Sequence, residues 1–380
     1  EMNIFIIVPT FSPNIGGVES YLDDLCDHLI KKQNNVHVLT YQPLTTKARG
    51  LKFEKKGRLE IHRISWFGHN WFHKLEPYPV LEFLYLTPWL FIHSFIFMVR
   101  NSRSIDCIHA QGLNAAFIVR FLAKLFKKRA VMSTCAVYNF KKGSLFSAVT
   151  RWTLDGFDKI LALADFSKKE LVSIGIAPGK IDTYYLWVDQ EAYKPEDKRK
   201  VKEKLGLQGK FIVLFVGRFI KIKGVETLLE TAKRVSANIN FCFIGDNGPL
   251  LGMVEKATQE LKNIILVRNI RGRQVVPYYQ AADILIIPSQ YDEAFGKVII
   301  ESLSCGTPVI GSDRGAIPDI LSTSVGKVIV PTTENIRREV EFYYAHPKEL
   351  ADLTTGCREY ALKNFSETNA DIIERSYLAG

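Results

Sequence analysis

Short apolar runs alternate with helix-period segments along almost the whole chain, and this alternation limits the possible folds more than any other feature. In the first half the runs are Ile4–Val8, Val36–Thr40, Cys107–His109, Ala130–Ser133 and Lys159–Ala162. In the second half they are Phe211–Val216, Ile239–Ile244, Ile264–Val267, Ile284–Pro288, Val309–Gly311 and Gly326–Val330. Strands that alternate with helices build parallel α/β sheets. The charged stretch Gln190–Gly209, which includes Pro195, separates the two series and predicts one short polar helix. The simplest assembly is two Rossmann-like units facing one another with a ligand between them. The bounds that follow are residues 1–188 and 189–362. Pro347–Leu378 reads as helix throughout, with no strand of its own to cover.

A chain of 380 residues has room for two domains with sizeable cores. Its net charge of +10 is uneven: residues 1–188 hold 24 Lys and Arg against 15 Asp and Glu, whereas residues 189–380 hold 26 against 25. That asymmetry predicts an anionic surface or substrate for the amino-terminal half. Nucleic acid is not the expected partner, because the chain has no nucleic-acid module and no basic-aromatic interleaving. Cys26, Cys107, Cys135, Cys242, Cys305 and Cys357 form no C-x-x-C pair and lie mostly in or beside apolar runs. Buried thiols are expected there, not disulfides or zinc ligands. Met2–Val8 is too short for a leader and reads as a first buried strand, so the expected setting is reducing cytoplasm.

Chemistry concentrates where strands end. Glu293-Ala-Phe295-Gly296-Lys297-Val-Ile-Ile-Glu301 follows the run Ile284–Pro288 and leads into an apolar helix. Free N–H groups at such a helix start make a site for an anion or a hydroxyl. Eight helical steps of about 1.5 Å separate the two glutamates by roughly 12 Å, which suits an extended, hydroxyl-rich ligand better than two carboxylates acting on one bond. After the first strand, Gly16-Gly17-Val-Glu19 opens a helix where backbone can approach a phosphate. After Phe211–Val216 comes Gly217-Arg218-Phe-Ile-Lys-Ile-Lys223-Gly224, whose guanidinium fork and ammonium suit the oxygens of a diphosphate. Phe243-Ile-Gly245-Asp-Asn-Gly-Pro249 supplies another glycine loop, and Asp106-Cys-Ile-His109-Ala-Gln111-Gly112 puts a histidine at a strand end.

In this combination and order the motifs resemble those of retaining glycosyltransferases of the GT-B fold, family 4 (glycosyl transferases group 1). The two glutamates resemble the E-x7-E signature, Gly16–Glu19 the G-G-x-E loop, and Gly217–Gly224 the G-R-x-x-x-x-K-G element. Gly306-Thr-Pro-Val and Gly315-Ala316-Ile-Pro-Asp319 resemble the closing elements G-x-P-V and G-G-x-P-E, with Ala316 and Asp319 as departures. His109 resembles the first histidine of D-x-x-H-x-H-G, and Gln111 stands at the second. Tyr185-Leu-Trp187-Val-Asp189 stands where the family usually has P-N-G-V-D, so closure geometry or acceptor contacts are expected to differ.

The resemblance implies GT-B architecture, with residues 363–380 forming a C-terminal helix that packs back on the first domain. It also implies transfer of a sugar from a nucleotide-sugar, UDP favoured and GDP next, with retention and without a metal or other cofactor. Arg218, Lys223 and the Gly16 and Gly17 amides would stabilise the leaving diphosphate. Glu293 would hold donor-sugar hydroxyls, aided by the Phe295, Gly296 and Lys297 amides, and His109 would sit beside the anomeric region. Glu301 would hold the ribose hydroxyls, with Gly217, Gly245 and Asn269 lining the nucleotide. Asn269-Ile-Arg271 lies where family members contact the base.

The apolar stretch Leu81–Val99 is interrupted by Glu82, Pro88 and His93 and reads as a helix plus loop that is either buried or an exposed wall meeting lipid. Cations such as Arg100, Arg103, Lys124, Lys127 and Lys128, with the aromatic loop of Trp66, Phe67, Trp71 and Phe72, favour reversible membrane attachment. The expected acceptor is a glycan or lipid-linked hydroxyl in cell-surface glycan or glycolipid synthesis, at the inner face of the cell membrane. Two alternatives are a sugar-nucleotide epimerase on the same fold and a non-catalytic scaffold. The scaffold would be expected to lose Arg218, Lys223 or Glu293, and all three are present.

Overall fold

The computed structural model describes residues 1–14, 16–68, 71–75, 77–270 and 272–378. The chain divides into two compact units, one made of Glu1–Tyr184 with Ala370–Gly380 and the other of Tyr185–Asn369.

The first unit is built on strands β1 (Asn3–Ile7), β2 (Asn35–Tyr41), β3 (Phe53–Lys56), β4 (Leu59–Ile64), β5 (Cys107–Gln111), β6 (Arg129–Thr134), β7 (Lys159–Leu163) and β8 (Ile181–Tyr184). The second has β9 (Phe211–Val216), β10 (Ile239–Ile244), β11 (Ile264–Val267), β12 (Ile284–Ile287), β13 (Val309–Ser312) and β14 (Gly326–Ile329). The sheet orders are β3-β4-β2-β1-β5-β6-β7-β8 and β11-β10-β9-β12-β13-β14. Every pairing among these strands is parallel except β3 with β4. Central strands such as β10 are buried along their whole length because helices cover both faces. Strand order reverses between β1 and β5 and again between β9 and β12. In open α/β sheets that reversal leaves a ligand crevice at the strands' carboxyl ends.

Three strands escape the sequence reading. In β4, Leu59 and Ile61 are buried while Glu60 and His62 are half-buried, a period-2 signal diluted by charge. The hairpin partner β3 is mostly exposed, and β8 is only four residues long. The boundary between units falls at 184/185, four residues before the expected one. Leu186, Trp187 and Val188 are buried in the second unit, and Gln190 donates to the Phe365 carbonyl at 3.0 Å. Burial of Trp187 leaves it little surface to offer an acceptor. The tail is two helices, Pro347–Asn364 in the second unit and Thr368–Tyr377, most of which returns to the first. Lys32 and Asn34 hold that last helix through Asp371 at 3.2 Å and Glu374 at 2.8 Å.

Pro79–Asn101 is one continuous helix with Pro88 inside it, not a helix followed by a loop. It is long and apolar enough to cross a membrane, yet one stripe (Leu86, Leu90, Ser94, Met98) is buried in the first unit's core. Phe97 stacks on Phe5 of β1 at 4.2 Å. The opposite stripe, including Val80, Leu84, Ile92, Phe95 and Val99, is exposed.

Candidate active site

In the second unit the predicted residues lie in the loops after β9, β10, β11 and β12, and the first and last of these loops flank the reversal of the sheet. β9 runs into Gly217, whose N–H donates to the Ile244 carbonyl at 3.0 Å. A Cβ on Gly245 would lie 2.3 Å from the Gly217 carbonyl oxygen, so glycine there lets the loops after β9 and β10 touch. Phe219 N–H donates to the Asn247 carbonyl at 2.8 Å and stitches the same loops together. Arg218 projects as an exposed side chain. Asn269, also exposed and at φ +60°, donates its N–H to the Asp246 carboxylate. Arg271, expected beside it, lies outside the described residues, as does Ile15 of the first glycine loop.

Lys223 sits in a single 3-10 turn, Lys221–Lys223, and its Nζ lies 2.6 Å from Glu293 Oε1. The same ammonium lies 5.0 Å over the Tyr291 ring. Glu293 is 6% exposed and accepts from three donors: Lys223, Ser289 Oγ, and Tyr291 OH at 2.9 Å. A carboxylate offers roughly four lone-pair positions, so this set leaves about one for a further hydroxyl. The loop carrying it is clamped from behind. Gly315 N–H donates to Asp292 at 2.9 Å, and Ala316 N–H donates to the Glu293 carbonyl at 2.8 Å. Gly315, at φ +57°, would place a Cβ 2.2 Å from that carbonyl and so must be glycine. Ala316 has φ −82°, which any residue adopts, so its departure from glycine costs nothing in backbone.

Glu293 precedes the helix Lys297–Ser304, so the helical spacing between the two glutamates starts only at Lys297. That helix begins at Gly296 without a side-chain cap, which leaves its first N–H groups to other partners. The Phe295 ring is buried between Tyr185 and Phe365, so only its backbone can serve a ligand. Glu301 accepts from Tyr279 OH at 2.7 Å. Burial and then the Glu301 charge push the Tyr279 hydroxyl well above its ordinary range, so it stays a donor. Ser289, Tyr291 and Tyr279 are the positioning residues that the sequence reading missed. Each sits in or beside an apolar segment, where nothing in the pattern separates it from core.

In the first unit Gly16 caps the helix Gly17–Lys31 in extended conformation, and both glycines are exposed. Among the described residues nothing lies within 4 Å of a Cβ built on Gly17, which leaves that space open to a ligand. The preceding loop is held from below by Arg63 of β4, which donates to the Ser12 carbonyl at 2.8 and 3.1 Å and pairs with Glu54 at 2.7 Å.

His109 requires a correction. It is fully buried, and both ring nitrogens are engaged, Nε2 with Ser133 Oγ and Nδ1 with Tyr377 OH, each at 2.8 Å. Burial drives its pKa down to about 3, so the ring is neutral. Enclosed this way, it fixes the C-terminal helix to the sheet and cannot touch a sugar. Gln111, two residues nearer the carboxyl end of β5, shares the network by accepting from Ser133 and donating to Cys135 Sγ at 3.3 Å.

Two doubly wound units in one chain, with a cationic loop after β9 and an anchored carboxylate loop after β12, are the architecture of the GT-B fold. Residues 15–192 match the family described as Glycosyltransferase Family 4, and residues 197–360 match Glycosyl transferases group 1. The chain thus belongs to the GT-B glycosyltransferases. It is 29% identical to an uncharacterized 41.2 kDa protein in the cps region of Klebsiella pneumoniae, over 70% of this chain and 76% of that one. It is also 29% identical to D-inositol 3-phosphate glycosyltransferase 2 of Catenulispora acidiphila, over 59% of this chain and 57% of that one, so it spans little more than half of that relative's length. Sucrose-phosphate synthase from Thermosynechococcus elongatus superposes with a TM-score of 0.81 at 19% identity, covering 99% and 98% of the two chains. Anabaena HepE in complex with UDP and glucose superposes at 0.75 with 18% identity, covering 99% of each.

Proposed function

We propose that this chain is a retaining, metal-independent hexosyltransferase that moves a sugar from a nucleotide-sugar to a hydroxyl of a glycan or lipid-linked acceptor, in cell-surface glycan or glycolipid synthesis. The observation that carries this reading is the Lys223–Glu293 pair at the reversal of the second sheet, with Arg218 exposed on the same loop after β9 as Lys223. Lys223 and Arg218 neutralise the diphosphate as it leaves. Glu293, already oriented by Ser289 and Tyr291, takes a sugar hydroxyl in its remaining position. Glu301, aimed by Tyr279, takes the ribose hydroxyls. The acceptor oxygen attacks the anomeric carbon on the face from which the diphosphate departs, and a phosphate oxygen receives its proton. Most of the catalytic effect is then electrostatic and positional. UDP is the favoured nucleotide, in keeping with the UDP and UDP-glucose complexes of HepE, and GDP is next.

The acceptor is taken at an anionic bilayer surface, reached by the first unit. Support comes from the exposed stripe of Pro79–Asn101, continued by Phe121 and Trp152 on the helices Gly112–Phe126 and Leu145–Asp155. Ring contacts from Phe91 to Phe121 (6.3 Å) and from Phe121 to Trp152 (5.9 Å) make this one surface. Arg120 stacks on Trp152 at 4.0 Å, and the basic residues of this half supply the complementary charge.

The test is to titrate UDP, GDP and ADP, with their sugars, against wild type and Glu301→Ala, and then to assign the product anomer by NMR with and without EDTA. One nucleotide should bind and lose affinity in the variant, and the product should keep the donor configuration in the presence of chelator. An inverted product, or activity abolished by EDTA and restored by Mg²⁺ or Mn²⁺ but not by Zn²⁺, would overturn the mechanism. Binding of none of the nucleotides would overturn the donor site.

A further inference from the structure

At the other end of the first sheet, three side chains with no part in sugar transfer meet over a cavity. β2 and β4 pair in parallel with His37 opposite Glu60 and Leu39 opposite His62. Side chains two apart on a strand share a face, so His37, Glu60 and His62 stand together. Their ligand atoms all lie within 4.8 Å of one another. His37 Nδ1 is already 3.1 Å from Glu60 Oε2. His62 Nε2 is buried and has no hydrogen-bond partner among the described residues. A buried imidazole nitrogen without a partner is an unmet cost unless something occupies the space before it. A cavity of about 360 Å³, lined by these residues together with His93, Phe97 and Arg100, supplies that space.

We propose that His37, Glu60 and His62 bind a divalent transition-metal ion of the zinc type, the remaining coordination positions being filled by water or a small anion from the cavity. Two imidazoles and one carboxylate suit zinc, whereas magnesium and calcium want an all-oxygen shell. In a tetrahedral site with bonds of about 2.0–2.1 Å, ligand atoms stand about 3.3 Å apart. The His37–Glu60 pair, at 3.1 Å, is close to that spacing, and His62, with its ligand atom within 4.8 Å of both, would move in to complete it. Lys55 pairs with Glu60 Oε1 at 2.7 Å, which leaves Oε2 for the histidines. Lys52, Arg63 and Arg100 also line the cavity, and their charge further disfavours ions held by electrostatics alone.

His37 and Glu60 lie toward the amino ends of their strands, whereas the Gly16–Gly17 loop follows the carboxyl end of β1. The ion would therefore fasten β2 to β4 and so support Arg63 beneath that loop, without entering the sugar-transfer chemistry. A ligand that binds only the folded state raises its stability by mass action.

The test uses tag-free full chain, stripped with chelator, titrated with Zn²⁺ by calorimetry and loaded separately with Co²⁺ for its visible spectrum. We expect one Zn²⁺ per chain, a rise in thermal midpoint, and intense Co²⁺ d–d bands of a low-coordinate site. His37→Gln and His62→Gln should each abolish the one-to-one binding, and Glu60→Gln should weaken it at least tenfold. His28→Gln should leave it unchanged, because His28 lies near Asp371 and Glu374 in the one other described cluster of this kind. Absence of stoichiometric binding to wild type overturns the proposal. So does wild-type affinity in both histidine variants, or loss in His28→Gln alone. If either histidine variant fails to fold without metal, the other variant and the wild-type Co²⁺ spectrum decide.

Discussion

The two units share a doubly wound arrangement, to which the first adds the edge strands β3 and β8, but they differ in what they expose. Of the large apolar side chains exposed in the described residues, 20 lie in the first unit and six in the second. Nearly all the excess positive charge also lies in the amino-terminal half. The second unit instead concentrates its polar groups at the sheet reversal, where Lys223, Glu293 and Tyr291 bind one another. One topology thus supports two kinds of surface. The sheet provides a crevice wherever its order reverses, and the loops and outer helices decide what that unit can meet.

The sharpest way to break this contrast is at the Lys223–Glu293 pair. Lys223→Ala should lower kcat/KM by roughly 10²–10³-fold, or about 3–4 kcal/mol. Glu293→Ala should do the same, and the double variant should lose much less than the sum, because the two side chains act as a unit. Steady-state transfer assays check both, and additive losses would mean the two residues work separately. On the first unit, Ile92→Ser with Phe95→Ser should weaken binding to anionic vesicles by roughly 30-fold, about 2 kcal/mol for the two side chains. Nucleotide affinity should be unchanged, and cosedimentation at two salt concentrations separates the apolar part from the charge part.

A third prediction concerns the buried network behind the first crevice. His109 has a folded pKa of about 3, below its unfolded value, so the unfolded chain binds more protons as pH falls. Stability should therefore be fully present above about pH 6.5 and decline below it, by about 2 kcal/mol between pH 6.5 and 5. In His109→Gln that part of the pH dependence should disappear from the denaturation midpoints. The smallest effect is expected from Tyr279→Phe, which removes one hydrogen bond to Glu301. Nucleotide affinity should drop by roughly tenfold or less, about 1 kcal/mol. No change would show that Glu301 needs no help to hold its position.

Much of this protein is written locally in its chain. Apolar runs punctuated by glycine fixed the positions of most strands, because burial on both faces of a parallel sheet demands continuous hydrophobic segments. The loops just after β9 and β12 were legible as sheet-end loops for the same reason, since a charged loop between a buried strand and a helix can only lie at the sheet's end. The strand β4 was not legible, because its Glu60 and His62 interrupt the apolar pattern.

Tertiary structure alone decided which side chains are free. His109 ends an apolar strand in the sequence, yet a tyrosine 268 positions away covers it and takes its second nitrogen. Tyr279, Ser289 and Tyr291 look like core in the sequence and serve as supports for the two glutamates. The stretch Leu81–Val99 reads the same whether buried or exposed, and only the helices packed beside it leave one stripe uncovered. Periodicity depends on neighbours along the chain, whereas exposure depends on distant segments that arrive on folding. The first was therefore set by the sequence itself, and the second only by the assembled fold.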